Sequence, residues 1–224
     1  MTFWSQTLTI AGKDLRVEAR GRYALGAALP FAGTLLIAFG LSLGPGRTLL
    51  RESAPGLLWL AVLFASVLAF REAYQSETED GAMEGLVLAP VDKAAIYLGK
   101  AAAVSLELLV MEAVVVPIVM AMFDLSLGDA PAVLVGAFLL GTLGLAAVGS
   151  LFGVLAESAR AREAVFPLLV LPLATPVLVA GVKATELAAS GRGGQAGSWL
   201  ALLLAFDVVV GGVGALVFGH LLED

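Results

Sequence analysis

The chain has 224 residues, 59% of them hydrophobic and only 14% Asp, Glu, Lys or Arg. Soluble domains carry about 25% charged and about 45–50% apolar residues, so this composition, with a mean hydropathy of +0.96, excludes an ordinary soluble enzyme, a disordered regulator and a nucleic-acid binder. A net charge of -6, no cysteine and a lone histidine, His220, remove phosphate-seeking surfaces, disulfides, thiolate chemistry and a multi-histidine metal site.

Residues 3–20 read as an amphipathic helix. At about 100° per residue, Trp4, Leu8, Ala11 and Leu15 share a face, with Lys13, Arg16 and Arg20 opposite. This is the pattern of an interfacial helix lying in the headgroup zone. Asp14 and Glu18 fall on or beside the apolar face, which a tilted or partner-packed helix would explain. The other reading is a basic juxtamembrane segment that only sets topology.

A helical crossing needs ~20 mostly apolar residues. Six stretches meet or approach this length: about 23–43, 54–70, 101–123, 130–156, 164–182 and 198–219. The predicted fold is therefore an all-α integral membrane protein, residues 1–224 forming a single membrane domain. Lipid cannot satisfy an exposed backbone, and runs this long do not read as barrel strands. The first run is predicted to be a retained anchor rather than a cleaved signal. Six spans put both termini on one side. That side carries nine Lys and Arg (Lys13, Arg16, Arg20, Arg22, Arg71, Lys93, Lys100, Arg160 and Arg162), and the other carries four (Arg47, Arg51, Lys183 and Arg192). The excess predicts cytoplasmic termini.

Residues 71–100 form the long cytoplasmic loop of this topology. Its first half gathers Glu72, Glu77, Glu79, Asp80 and Glu84, and Gly85 to Ala89 then make an apolar stretch ended by Pro90. Anionic lipid would repel such a cluster. A charged rim around an apolar knob fits a docking element for a soluble partner. The shorter 157–163 loop reads as a turn.

Inside the spans, Glu107, Glu112 and Asp207 are ionisable groups at membrane depth, where charge is costly. Glu107 and Glu112 are separated by about 140° on a helix and form no carboxylate pair. Glu112 and Asp207 are candidates to line a cavity, and packing between helices is the alternative for each. Gly40 with Gly44 and Gly149 with Gly153 make two G-x-x-x-G pairs. Gly141, Gly144 and Gly149 crowd the fourth span, and Gly211, Gly212 and Gly214 the sixth. Such residues let helix backbones approach closely, which suits a tight bundle and a homodimer. Pro167, Pro172 and Pro176 predict a kinked or broken fifth span. Residues 183–197 are expected to hold a short outer helix or re-entrant piece with a glycine-rich loop. No G-x-x-x-x-G-K-[ST] motif occurs, so any ATP chemistry belongs to a partner.

The run Glu79-Asp80-Gly81-Ala82-Met83-Glu84-Gly85-Leu86, then Ala89-Pro90-Val91 and Leu98-Gly99-Lys100, resembles the cytoplasmic loop of ABC-2 type permeases. With Lys13-Asp14-Leu15-Arg16, Glu18 and Arg20, Leu58 to Ala65, Leu140 to Gly149, Ala161-Arg162-Glu163, Pro167 to Pro172 and Pro176 to Thr185, the chain is similar to the CcmB family over about residues 10–188.

The resemblance implies an ABC-2 or type V exporter-like architecture: six spans, an N-terminal elbow helix and a cytoplasmic coupling helix. It implies a non-catalytic permease subunit at the inner membrane, dimeric and partnered by a CcmA-like ATP-binding subunit, with a CcmC-like haem-handling protein and a CcmD-like small subunit. The implied role is coupling ATP hydrolysis to haem delivery or to release of a haem-loaded periplasmic chaperone in cytochrome c biogenesis. Glu79, Asp80, Gly81, Glu84, Gly85 and Pro90 are the expected ATPase contacts, with Lys13, Asp14, Arg16 and Glu18 of the first helix beside them. Haem is a candidate handled ligand. A haem site wants an axial His, Cys, Met or Tyr, and Met111, Met120 and Met122 read as packing residues. No catalytic or metal-binding residue is expected. Two other readings stand beside this one. One is a stand-alone secondary transporter using Glu112 or Asp207 as a proton relay, the other a passive scaffold.

Overall fold

In a computed structural model of the chain, residues 2–21, 23–79, 90–125, 130–155 and 162–221 are described. Seven α-helices follow one another within them. They are α1 (Phe3–Gly21), α2 (Tyr23–Leu43), α3 (Arg47–Glu79), α4 (Lys93–Phe123), α5 (Pro131–Leu155), α6 (Arg162–Ala189) and α7 (Gly197–Leu221), with a 3₁₀ turn at Gly193–Gln195. Six of them, α2 to α7, are long and apolar enough to cross a bilayer. The start of α3, the end of α4 and the end of α6 meet at one end of the bundle. α1 packs along the start of α4 at the other.

The helices overrun their hydrophobic stretches. Arg47 and Arg51 begin α3, and Lys183 and Glu186 sit in the last turns of α6. At the other end, residues 71–79 continue α3 and Lys93 to Lys100 already belong to α4. The segment outside both helices thus shrinks from 71–100 to 80–92, of which 80–89 lie outside the described residues. Charged residues end a hydropathy window, but they do not end a helix whose backbone bonds are satisfied internally. Asp92 caps α4, its Oδ1 accepting from the Ala94 N–H at 2.9 Å.

In two further expectations one of the alternatives is corrected: the fifth span is not broken, and no re-entrant piece follows it among the described residues. α6 runs unbroken from Arg162 to Ala189 through its three prolines. Neighbouring helices and hydroxyl side chains re-satisfy backbone groups in membrane helices. Thr175 Oγ1 donates back to the Leu171 carbonyl at 3.1 Å within this helix. Beyond α6 come the turn at Ser190–Gly191 and then the expected short outer helix, a single 3₁₀ turn at Gly193–Gln195.

The glycine notches admit side chains rather than bare helix backbones. A Cβ at Gly141 or Gly181 would collide with the Trp59 ring, one at Gly149 with Phe70, and one at Gly214 with Tyr97. Gly44 lies beyond α2 at φ +73°. It supplies a left-handed residue after the helix, not a packing partner for Gly40. Gly211 and Gly212 face open space.

This contrast predicts opposite outcomes within one helix. Gly214→Ala should cost ~1–3 kcal/mol through overpacking, because Tyr97 is fixed by its hydroxyl donating to the Ala147 carbonyl at 3.0 Å and by Phe218 at 5.4 Å between ring centroids. Gly212→Ala should be neutral or slightly stabilising. Thermal unfolding of both variants in detergent checks this, and equal losses would contradict it.

Candidate coupling surface

The sequence places charge on both sides of α1, and the structure shows what each side meets. Thr7, Ile10 and Ala11 are buried, while Trp4 and Leu8 stay 68% and 71% exposed. The predicted apolar stripe is therefore divided: Ala11 packs on protein, and Trp4 and Leu8 face outward. The buried face lies along α4. Gln6 Oε1 accepts from the Asp92 N–H at 3.3 Å. Gly99 is pressed against Thr7 and Ile10 so closely that a Cβ there would stand 2.9 Å from Ile10. Asp14 Oδ2 lies 3.6 Å from Lys100 Nζ. These contacts advance together along both helices, so α1 and the first half of α4 run side by side in the same direction.

Asp14 thus sits on the packed face because a buried cation meets it there. Lys100 is only 3% exposed, and an isolated buried ammonium is costly. Asp14 also pairs with Lys13 at 3.0 Å. Arg16 is exposed and Glu18 half-buried. Lys100 was not among the site residues expected from sequence. Its signal is an isolated lysine opening an apolar run, opposite two acids spaced one turn apart on α1.

The first turns of α4 hold several elements at once. Asp92, Gly99 and Lys100 contact α1, Tyr97 bonds to α5 through the Ala147 carbonyl, and its ring packs on Phe218 of α7. Of the expected docking residues, Pro90 is exposed just before this junction and Glu79 ends α3. Asp80, Gly81, Glu84 and Gly85 lie outside the described residues. The start of α4 is thus in contact with α1, α5 and α7 through a handful of side chains.

The acids at membrane depth occupy separate places. Glu107 and Glu112 are buried. Thr142 Oγ1 of α5 donates to Glu112 Oε1 at 2.8 Å. Asp207 of α7 lies against Gly144 of α5, whose missing side chain makes the room. Glu107 Oε2, Glu112 Oε2 and both Asp207 carboxyl oxygens have no hydrogen-bond partner among the described residues. Glu112 and Asp207 approach α5 at positions two residues apart, and successive helical residues two apart do not share a face. Among the described residues no group of three or more His, Asp or Glu converges as a metal-ligand set.

Six membrane-length helices, with the charged helix α1 strapped to the base of α4, define a multi-pass helical membrane protein. The family model described as CcmB protein matches residues 5–223. The chain is 31% identical over 206 residues to Heme exporter protein B of Pseudomonas aeruginosa, covering 90% of each chain. It is 30% identical over 186 residues to that of Rhodobacter capsulatus, covering 81% of this chain and 83% of the relative. With Heme exporter protein B of Escherichia coli K12 it shares 35% identity over 100 residues, 45% of this chain. The chain belongs to the CcmB family.

Proposed function

We propose that the chain is the membrane-spanning, non-catalytic subunit of an ABC transporter complex for cytochrome c biogenesis. In this reading a separate CcmA-like ATPase docks on residues 79–90. Its nucleotide-driven motion passes through α4 into the bundle, driving haem export or delivery, or release of the haem-loaded periplasmic chaperone. Haem is cargo here, not a resident cofactor. A CcmC-like haem-handling protein and a CcmD-like subunit complete the complex, with the chain as a homodimer in the inner membrane and both termini cytoplasmic. The nine-to-four excess of Lys and Arg at the α1 end supports that orientation.

The observation that carries the reading is the junction at the base of α4. The residues immediately after the docking segment grip α1, α5 and α7, as a transmission element must. The relatives' name, Heme exporter protein B, supports haem as the cargo, and a sequence without a P-loop motif is consistent with ATP turnover by a partner.

The test is a gentle detergent pull-down of the tagged chain from its own membrane, with and without the paired reversal Glu79→Lys and Asp80→Lys. The wild-type chain should bring down a P-loop ATPase. The variant should recover at least ~tenfold less, equivalent to about 1.4 kcal/mol of docking energy, and should lose cytochrome c maturation while keeping its unfolding temperature. Undiminished ATPase recovery and maturation in a folded variant would refute the docking assignment.

A further inference from the structure

At the end of the bundle remote from α1, a cleft of about 720 Å³ opens between the start of α3, the residues after α4 and the end of α6. Its floor is apolar, with Pro55 and Leu125 buried. Its walls carry both signs of charge. Arg47, Arg51 and Glu52 come from α3, Asp124 follows α4, and Glu186 and Arg192 come from α6 and the turn beyond it. Glu186 is already engaged, with Lys183 Nζ at 2.7 Å and Arg192 Nη2 at 3.7 Å. Among the described residues, Arg47, Arg51, Glu52 and Asp124 have no ion-pair partner. Two cations and two anions therefore face one cleft unmatched.

Their arrangement selects a ligand. Arg47 and Arg51 are one turn apart on α3, so both planar forks reach the same side and suit a phosphate. Glu52 and Asp124 can accept hydrogen bonds but donate none when ionised, so they call for a cation with N–H groups. A purely anionic ligand would satisfy the arginines and leave the acids facing like charge. The depth fits a lipid. The apolar spans Arg47–Phe70 and Lys93–Phe123 both end at this cleft, which sets it at the headgroup layer bordering a hydrocarbon core about 30 Å thick.

We propose that this cleft is a binding site for the headgroup of a phospholipid with a primary ammonium, phosphatidylethanolamine. Arg47 and Arg51 hold its phosphate, Glu52 and Asp124 its ammonium, and the headgroup sits over the apolar floor made by Pro55 and Leu125.

The test reconstitutes the full-length chain in phosphatidylcholine nanodiscs containing a minor fraction of either phosphatidylethanolamine or phosphatidylglycerol. The chain is then extracted into mild detergent, and retained lipid is counted by native mass spectrometry. Phosphatidylethanolamine should be retained in preference to both others. The R47A/R51A variant should retain roughly tenfold less of it, about 1.4 kcal/mol. The near-isosteric E52Q/D124N variant should lose the preference over phosphatidylglycerol, and it carries the test if the arginine variant does not fold. Added soluble phosphoethanolamine should not displace the lipid. Equal retention of the ethanolamine and glycerol lipids, or wild-type retention by both variants, overturns the proposal. Displacement by soluble phosphoethanolamine overturns the lipid as the occupant. None of these outcomes touches ATPase recovery, so the site stands or falls separately from the transport reading.

Discussion

Trp59→Ala should destabilise the bundle by ~3–5 kcal/mol, the range for removing a large ring from a well-packed core. Trp59 is fully buried on α3. Its ring lies against Gly141 of α5 and Gly181 of α6. It stacks on Phe138 with centroids 5.7 Å apart and planes 18° apart, and its Nε1–H donates to Thr185 Oγ1 at 3.0 Å. One side chain thus ties three helices. Lipid tails are as apolar as the core, so the loss comes from forfeited packing contacts rather than from exposure to water. Trp4→Ala should cost far less, because Trp4 is 68% exposed. Unfolding titrations in detergent would compare the two, and similar losses would reject Trp59 as the keystone. Gly141→Ala should destabilise by ~1–3 kcal/mol. Trp59→Phe in the same chain should recover part of that loss, since a smaller ring relieves the overlap and contacting residues couple.

Asp14→Lys should release α1 from α4. The change places an ammonium beside Lys100, whose side chain is 4% exposed, and beside Lys13, 3.0 Å from Asp14 in the native chain. Breaking a buried pair costs about 3–5 kcal/mol, and here the introduced ammonium also repels Lys100 and Lys13. Asp14 is 19% exposed, and solvent screening puts the expected loss near the lower end, about 3 kcal/mol. Hydrogen exchange is the direct readout. Amides of α1 should exchange faster while those of α5 and α7 keep their protection, since local opening reports local stability. The swap Asp14→Lys with Lys100→Asp should restore part of the protection. Unchanged α1 exchange in the single variant would show that apolar packing at Gly99 and Ile10 alone holds the helix.

The candidate surface was only partly legible before the structure. Lys13, Asp14, Arg16 and Glu18 could be picked out because Asp14 and Glu18 interrupt an apolar face. What they interrupt it for could not, since Lys100 is distant in sequence and hydropathy does not record which side chains meet. Trp59 carried no separate signal within an apolar run. The glycines were read as sites of backbone approach, yet a notch shaped for a ring and a notch shaped for a helix have the same sequence.

Helicity, six membrane-length apolar runs and the family resemblance were all readable from the residues alone. The first two depend on residue type summed over consecutive positions, because lipid demands a self-satisfied backbone about 20 residues long; the third rests on particular residues, such as those from Glu79 to Leu86. Only the tertiary structure decided that α6 continues through its prolines, that Trp59 joins α3, α5 and α6, that α1 is strapped to the base of α4, and that four charges meet at the opposite cleft. Each depends on which side chains neighbouring helices bring within contact distance. Along a uniformly apolar helix, composition hardly distinguishes the face that meets protein from the face that meets lipid.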